Sequence, residues 1–236
     1  MMVLEGVSFA YEPSRPVLRN ASLALGPGLS LLVGPNGCGK STLLKLAAGV
    51  ERPDRGRILI DGVDLWEREV EARRALAYLP EFPDITPYAT LQDVLRLVCR
   101  LRGEPQAAGA KALEIFGLAN EADHSVRELS SGQRKRALFA AAFVGRPEHI
   151  LLDEPLDALD RQISDDVLGW IGGRILSGAT LLVVSHAIEP LAGLATRAVT
   201  VRDGACAVHE GLPEEPAARL RLLDTLARGK DGTDAA

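Results

Sequence analysis

The run Gly34-Pro35-Asn36-Gly37-Cys38-Gly39-Lys40-Ser41-Thr42 carries the clearest chemical meaning in the chain. Two glycines enclose four residues and are followed by Lys and Ser, the pattern of a loop that wraps a polyphosphate. Glycines let backbone N–H groups turn inward around phosphate oxygens, and a following helix presents its positive end to the same place. Lys40 supplies a point charge for the outer phosphates, and the Ser41 hydroxyl can ligate Mg²⁺. A glycine turn that binds nothing needs neither a buried strand before it nor a helix after it. This run has both: 29–33 is apolar but for Ser30, and 41–50 reads as helix.

A second group stands at 150–155, Ile-Leu-Leu-Asp-Glu-Pro. An apolar strand ending in two carboxylates delivers both to its C-terminal edge, where ligands of open α/β sheets bind. Asp153 is then placed to hold Mg²⁺, and Glu154 to accept a proton from a water attacking a γ-phosphate. Taken alone, the pair has a plainer account as acids favoured at the start of a helix. Beside a phosphate loop, the catalytic account is the stronger.

Such groups need a sheet to hold them. Residues 3–9 alternate apolar and polar as a half-buried strand does, 17–25 continue in β fashion, and Gly26-Pro27-Gly28 breaks the run. Further strands are expected at 57–60, turned at Asp61-Gly62, and at 75–79, 150–152 and 180–184. From Thr90 the pattern is helical: Leu91, Val94, Leu95 and Val98 recur at i, i+3, i+4 and i+7, with Thr90 and Asp93 spaced as a capping box. Cys99 falls on that apolar face, and Cys38, Cys99 and Cys206 have no paired metal-ligand spacing. The alternation of strands and helices implies an α/β core with a mostly parallel sheet, an N-terminal antiparallel β subdomain, and a helical subdomain inserted at about 90–145. The expected domain is 1–228, with 229–236 a flexible tail.

Hydrophobic residues make up 47% and charged residues 25%, which supplies a sizeable core, and no apolar run is long enough to span a bilayer. Met1 to Tyr11 carries Glu5 early and lacks a basic start, so no secretory leader is expected. The net charge of −5, with both signs interspersed, argues against a nucleic-acid partner.

The discriminating stretch is Leu129-Ser130-Ser131-Gly132-Gln133, followed by Arg134, Lys135 and Arg136. Its hydroxyls and small residues suit the cap of a helix beginning near Gln133, and a second anion site. Placed between the phosphate loop and the Asp153-Glu154 strand, it resembles the signature sequence of the ATP-binding cassette (ABC) family, with Ser131 where a glycine is usual. Given that resemblance, Tyr11 is similar to the aromatic residue that stacks on adenine, although an ordinary strand-end tyrosine is the alternative. Asp160, closing Leu156-Asp157-Ala158-Leu159-Asp160, resembles the loop aspartate that crosses to a partner subunit. His186, closing Val183-Val184-Ser185-His186, resembles the switch histidine that contacts the γ-phosphate.

One position departs. The family usually places glutamine after a strand such as Tyr78-Leu79-Pro80, and here stands Glu81. A carboxylate can still offer oxygen to Mg²⁺ or to water. It cannot donate a hydrogen bond while ionised, and it adds negative charge near a triphosphate. The Tyr-Leu-Pro-Glu spelling is similar to that of exporter-type cassettes; slowed or retuned turnover is the other reading.

The resemblance implies a P-loop NTPase core that binds ATP and Mg²⁺ and works as a head-to-tail dimer, homo- or heteromeric. In that dimer Ser130, Ser131, Gly132 and Gln133 of one copy face the nucleotide of the other. It implies catalysis by Glu154, His186 and Lys40, nucleotide contacts from Tyr11, 34–42, Glu81, the signature loop and Asp160, and metal ligation by Ser41, Asp153 and Glu81. It further implies a cytoplasmic ATPase attached to the inner face of the cell membrane through transmembrane permease subunits, exporting its substrate. A soluble cassette driving assembly, as in iron–sulphur cluster building, is the alternative. Phe82, Ile85 and Tyr88 would receive a permease helix, or else anchor the helical subdomain.

Overall fold

In chain order, β1 (Met2–Glu12), β2 (Arg15–Leu25) and β3 (Gly28–Val33) lead into α1 (Lys40–Ala47), and β4 (Arg55–Ile60), β5 (Val63–Asp64), α2 (Glu69–Arg74) and β6 (Leu76–Leu79) follow. Next come α3 (Leu91–Arg102), α4 (Gln106–Ile115) and α5 (Ser131–Phe143). The remainder is β7 (His149–Asp153), α6 (Arg161–Leu176), β8 (Thr180–Val184), α7 (Ile188–Ala192), β9 (Ala195–Arg202), β10 (Ala205–His209) and α8 (Pro216–Ala227). This computed structural model describes residues 1–81, 87–157 and 159–229. Phe82, Ile85, Ala158 and 230–236 of the expected tail lie outside the described residues.

One sheet is antiparallel in the order β2-β1-β4-β5, and the other runs β10-β9-β3-β8-β7-β6. In the second sheet β9, β3, β8, β7 and β6 are parallel, and β10 joins β9 antiparallel. Every residue of β3, β7 and β8 is buried, as strands covered on both faces must be, which is why their centres read as apolar runs, with Ser30, His149, Asp153 and Thr180 the polar exceptions. β1 instead buries Met2, Leu4, Val7 and Phe9 and turns its other residues outward. The strand ends at 9 in the sequence reading and at Glu12 in the fold, which carries Tyr11 within β1.

Alternate residues of the parallel strands feed two cores. Leu31, Ile150, Leu152, Leu181 and Val183 pack with Phe139, Phe143, Val167 and Ile171 on one face. Leu32, Leu151, Leu182 and Val184 pack with Leu43, Leu44 and Leu46 of α1 and with Met2 and Leu4 of the antiparallel sheet on the other. Each such buried leucine contributes about 1.5–3 kcal/mol relative to exposure, so the strands ending at the loop residues are held firmly. Asp61, in the turn after β4, ties the two sheets together: its Oδ2 lies 2.8 Å from Nε2 of buried His149 at the start of β7.

The helices α3 to α5 lie between β6 and β7 and enclose a third core around Leu91, Leu95, Cys99, Leu113, Leu129 and Ala137. Thr90 caps α3 as its spacing suggested: Oγ1 accepts the Asp93 N–H at 3.1 Å, and its hydroxyl donates to Asp93 Oδ2 at 2.8 Å. Cys99 packs in that core. α5 begins at Ser131, two residues before the expected start near Gln133, because Ser130 and Gln133 form a capping box that recruits Ser131 and Gly132 into the first turn. Among the described residues no helix is long and apolar enough to cross a membrane.

Candidate nucleotide site

β3 leads into a loop that borders a cleft of about 450 Å³. Its lining comes from the ends of separate strands: Tyr11 of β1, Asn36, Gly37, Gly39, Lys40, Ser41 and Thr42 after β3, Glu81 after β6, Asp153 and Glu154 at β7, and His186 after β8. Apart from Tyr11, which the antiparallel sheet contributes, these residues meet here because parallel strands share one C-terminal edge. Gly34, Pro35 and Cys38 line the opposite side of the loop.

The loop needs its glycines. Gly34 sits at φ 151°, where a Cβ would meet the Cys38 sulphur at 2.9 Å, and Gly39 sits at φ 111°, where it would meet Val17 at 3.0 Å. Gly39 is the cap of α1, whose first residue is Lys40, so the free N–H groups of that helix open towards the cleft. Lys40 Nζ donates to the carbonyls of Gly34 at 2.7 Å and Pro35 at 3.1 Å, which holds the ammonium over the loop. Tyr11 is 54% exposed and meets Phe9 edge to face at 4.9 Å, leaving a ring face available to a planar base.

Acids crowd the other wall. Asp153 is buried, and its Oδ1 has no hydrogen-bond partner among the described residues. Burial first, then the charges of Glu81 and Glu154, hold its carboxyl above the usual range, offset in part by a hydrogen bond with Ser41. Burial, then the Asp153 charge, pushes the neighbouring Tyr78 hydroxyl up to about 12. An orphaned carboxylate oxygen among converging acids, with a hydroxyl beside it, is a hard-oxygen donor set that fits Mg²⁺.

Glu154 is fixed from several directions. Its backbone is left-handed at φ 47°, which costs a non-glycine residue on the order of 1–3 kcal/mol and persists only where contacts enforce it. Its N–H donates to Val184 O at 2.9 Å, and its Oε2 accepts the His186 N–H at 3.0 Å. The His186 ring Nε2 stands 3.7 Å from Oε1. One residue thus both lines the cleft and is aimed by its neighbour strand.

The structure does not bring every expected residue to this cleft. Ser130, Ser131, Gly132 and Gln133 are absent from its lining. Ser130 Oγ accepts the Gln133 N–H at 3.2 Å while Gln133 Oε1 accepts the Ser130 N–H at 2.9 Å, so both are engaged in the cap, and Ser131 is exposed. Asp160 also stands apart: its Oδ1 accepts the Ile163 N–H at 2.9 Å and caps α6.

The family model described as ABC transporter matches residues 18–157, more than half of the chain. The chain belongs to the ABC transporter ATP-binding family. A taurine import ATP-binding protein of Pseudomonas aeruginosa is 34% identical over 236 residues, covering 95% of this chain and 88% of that one. A Nod factor export ATP-binding protein of Burkholderia thailandensis is 32% identical, covering 90% of this chain and 66% of that one. Among solved structures, an ATP-binding subunit of an ABC transporter superposes with TM-score 0.82 at 25% identity, covering 89% of this chain and 90% of that one. A dimeric bacterial ABC transporter cassette superposes with TM-score 0.79 at 23% identity, over 89% and 98% of the two chains, and shares the fold. The cassette therefore has an α/β fold of the ABC ATPase kind, binds ATP, and is an ATPase that powers transport.

Three contributors to the cassette's site escaped the sequence reading. Arg15 and Val17 of β2 reach the cleft, because the β1–β2 hairpin folds its second strand beside Tyr11. Lys135 of α5 donates from Nζ to the Glu154 carbonyl at 3.0 Å. Its basic neighbours were visible in sequence, but a contact spanning 19 residues leaves no local spacing to read.

Proposed function

We propose that the chain hydrolyses ATP for a transporter whose membrane permease is a separate protein, working as a head-to-tail pair of cassettes. The observation that carries this is the division of the site. Phosphate loop, Tyr11, Glu81, Asp153, Glu154 and His186 share one cleft, while the signature loop caps a helix outside it. A second copy supplying Ser130, Ser131, Gly132 and Gln133, with Asp160 near the junction, completes the enclosure of the triphosphate. The permease meets the cassette around Tyr88, which is 73% exposed on the helical side of the molecule.

Within that pair the residues divide the work. The backbone of 34–42 surrounds the phosphates, and Lys40 turns from its loop carbonyls to the outer phosphate oxygens. Tyr11 stacks on adenine. Ser41, Asp153 and Glu81 would hold Mg²⁺, which would supply positive charge to neutralise the triphosphate. Glu154 takes the proton of the attacking water, aimed by the His186 N–H on its Oε2, and the His186 ring faces the terminal phosphate. Positioning and charge stabilisation supply most of the rate.

Glu81 favours export as the direction. Import is the second reading, favoured by the printed name of the relative at 34% identity. The relatives described above carry transport names, which gives the assembly alternative nothing to stand on.

The test is Glu154→Gln with ATP and Mg²⁺. ATP binding persists, hydrolysis stops, and the protein elutes as a closed dimer in size-exclusion chromatography. A variant that turns over normally, or one that stays monomeric with ATP bound, sinks the reading.

A further inference from the structure

Lys135 stands in the second turn of α5, the helix whose tip carries Ser130 and Ser131. It is half-buried, it does not line the cleft, and its ammonium donates to the Glu154 carbonyl at 3.0 Å. The other hydrogen bonds on Glu154 come from the strand beside it and from its own turn: Val184 O accepts its N–H, the His186 N–H donates to its Oε2, and the Asp157 N–H donates to its carbonyl at 3.3 Å. Lys135 is the grip that reaches it from the helical side. The left-handed backbone at Glu154 is a conformation that its surroundings must hold. Burial holds the Lys135 ammonium below the usual lysine range, and the charges of Asp157, Glu154, Glu81 and Asp153 oppose that shift in part.

We infer that Lys135 is a positioning residue for hydrolysis: through the Glu154 carbonyl it ties the aim of the catalytic carboxylate to the placement of the signature tip of α5. The inference rests on Glu154 being the base. A helix is stiff over so short a distance, so an anion seated at Ser130 and Ser131 and the water facing Glu154 are linked through one side chain. Nucleotide bound by one copy thereby sets the aim of the base that serves the other nucleotide.

The experiment is steady-state hydrolysis by the full chain bearing Lys135→Met, which keeps the apolar stem and deletes the donor. A base displaced by about 1 Å loses on the order of 100-fold in rate, so kcat should fall by about 10- to 100-fold. The KM for ATP should stay within a factor of about three, since Lys135 touches neither phosphate nor base of the nucleotide. Lys135→Arg, which restores a donor, should recover most of kcat. In a Glu154→Gln background, Lys135→Met should change the residual rate no further, because the two residues act as one unit. Unchanged kcat in Lys135→Met overturns the inference, as does a loss that appears in KM or that Arg fails to rescue. Normal turnover by Glu154→Gln alone removes the base assignment instead, so the two failures are told apart.

Discussion

Asp153→Asn should make the cassette more stable before nucleotide binds, while ending its hydrolysis. The wild-type carboxylate is buried with Oδ1 lacking a partner, and the charges of Glu81 and Glu154 oppose its ionisation. Asn leaves a buried polar group in place but removes the charge that burial, Glu81 and Glu154 oppose; with Ser41 offsetting part of that opposition, the change should return about 1–2 kcal/mol. For a chain of this length a melting temperature moves about 2–4 °C per kcal/mol, so Tm should rise by about 2–8 °C. The sign with pH follows from linkage. A carboxyl held above its ordinary range in the folded protein makes the folded state bind more protons, so wild type loses stability as pH rises through and above that range. The Asn variant does not titrate. Melts followed by circular dichroism should therefore show a gap that is small near pH 4 and full at pH 7.5. Saturating Mg²⁺-ADP should close it, since a ligand at 100 times its Kd adds about 2.7 kcal/mol to the wild type. A variant no more stable than wild type at pH 7.5, or a gap of constant size across pH, refutes the reasoning.

Lys40→Ala should abolish ATP binding measured by calorimetry, and unchanged affinity would remove the phosphate loop from the site. Tyr11→Ala should weaken ATP binding by about 2- to 12-fold, the equivalent of one aromatic stack, and spare inorganic triphosphate; equal loss for both ligands excludes stacking. Glu81→Gln should leave ATP affinity nearly unchanged and alter turnover, with a loss of binding showing that Glu81 serves the nucleotide itself.

The site was most legible where backbone and chemistry coincide. Gly34, Gly39, Lys40 and Ser41 could be read because the loop's glycines are compulsory and its flanking strand is buried on both faces. Asp153 and Glu154 were legible for the same reason: a fully buried β7 can end in acids only where something at its edge wants them. Less was visible at β10, whose residues are half-buried or exposed and give no unbroken apolar run, and at α2, a short helix burying only Ala72. The start of α5 was misplaced because the reciprocal Ser130–Gln133 cap, not apolar periodicity, decides where that helix begins. Asp160 shows the opposite limit. Its motif suggests a neighbour subunit, while its carboxylate already caps α6 within the chain.

One helix is shared between two interiors. Ala137 and Ala140 of α5 face the helical bundle, and Phe139 and Phe143 face the sheet, with the Phe143 ring stacked on Trp170 at 3.5 Å. Because one rigid helix is packed into both interiors, a change in its angle would be felt in the two cores together, with the aromatic rings as the contact on the sheet side.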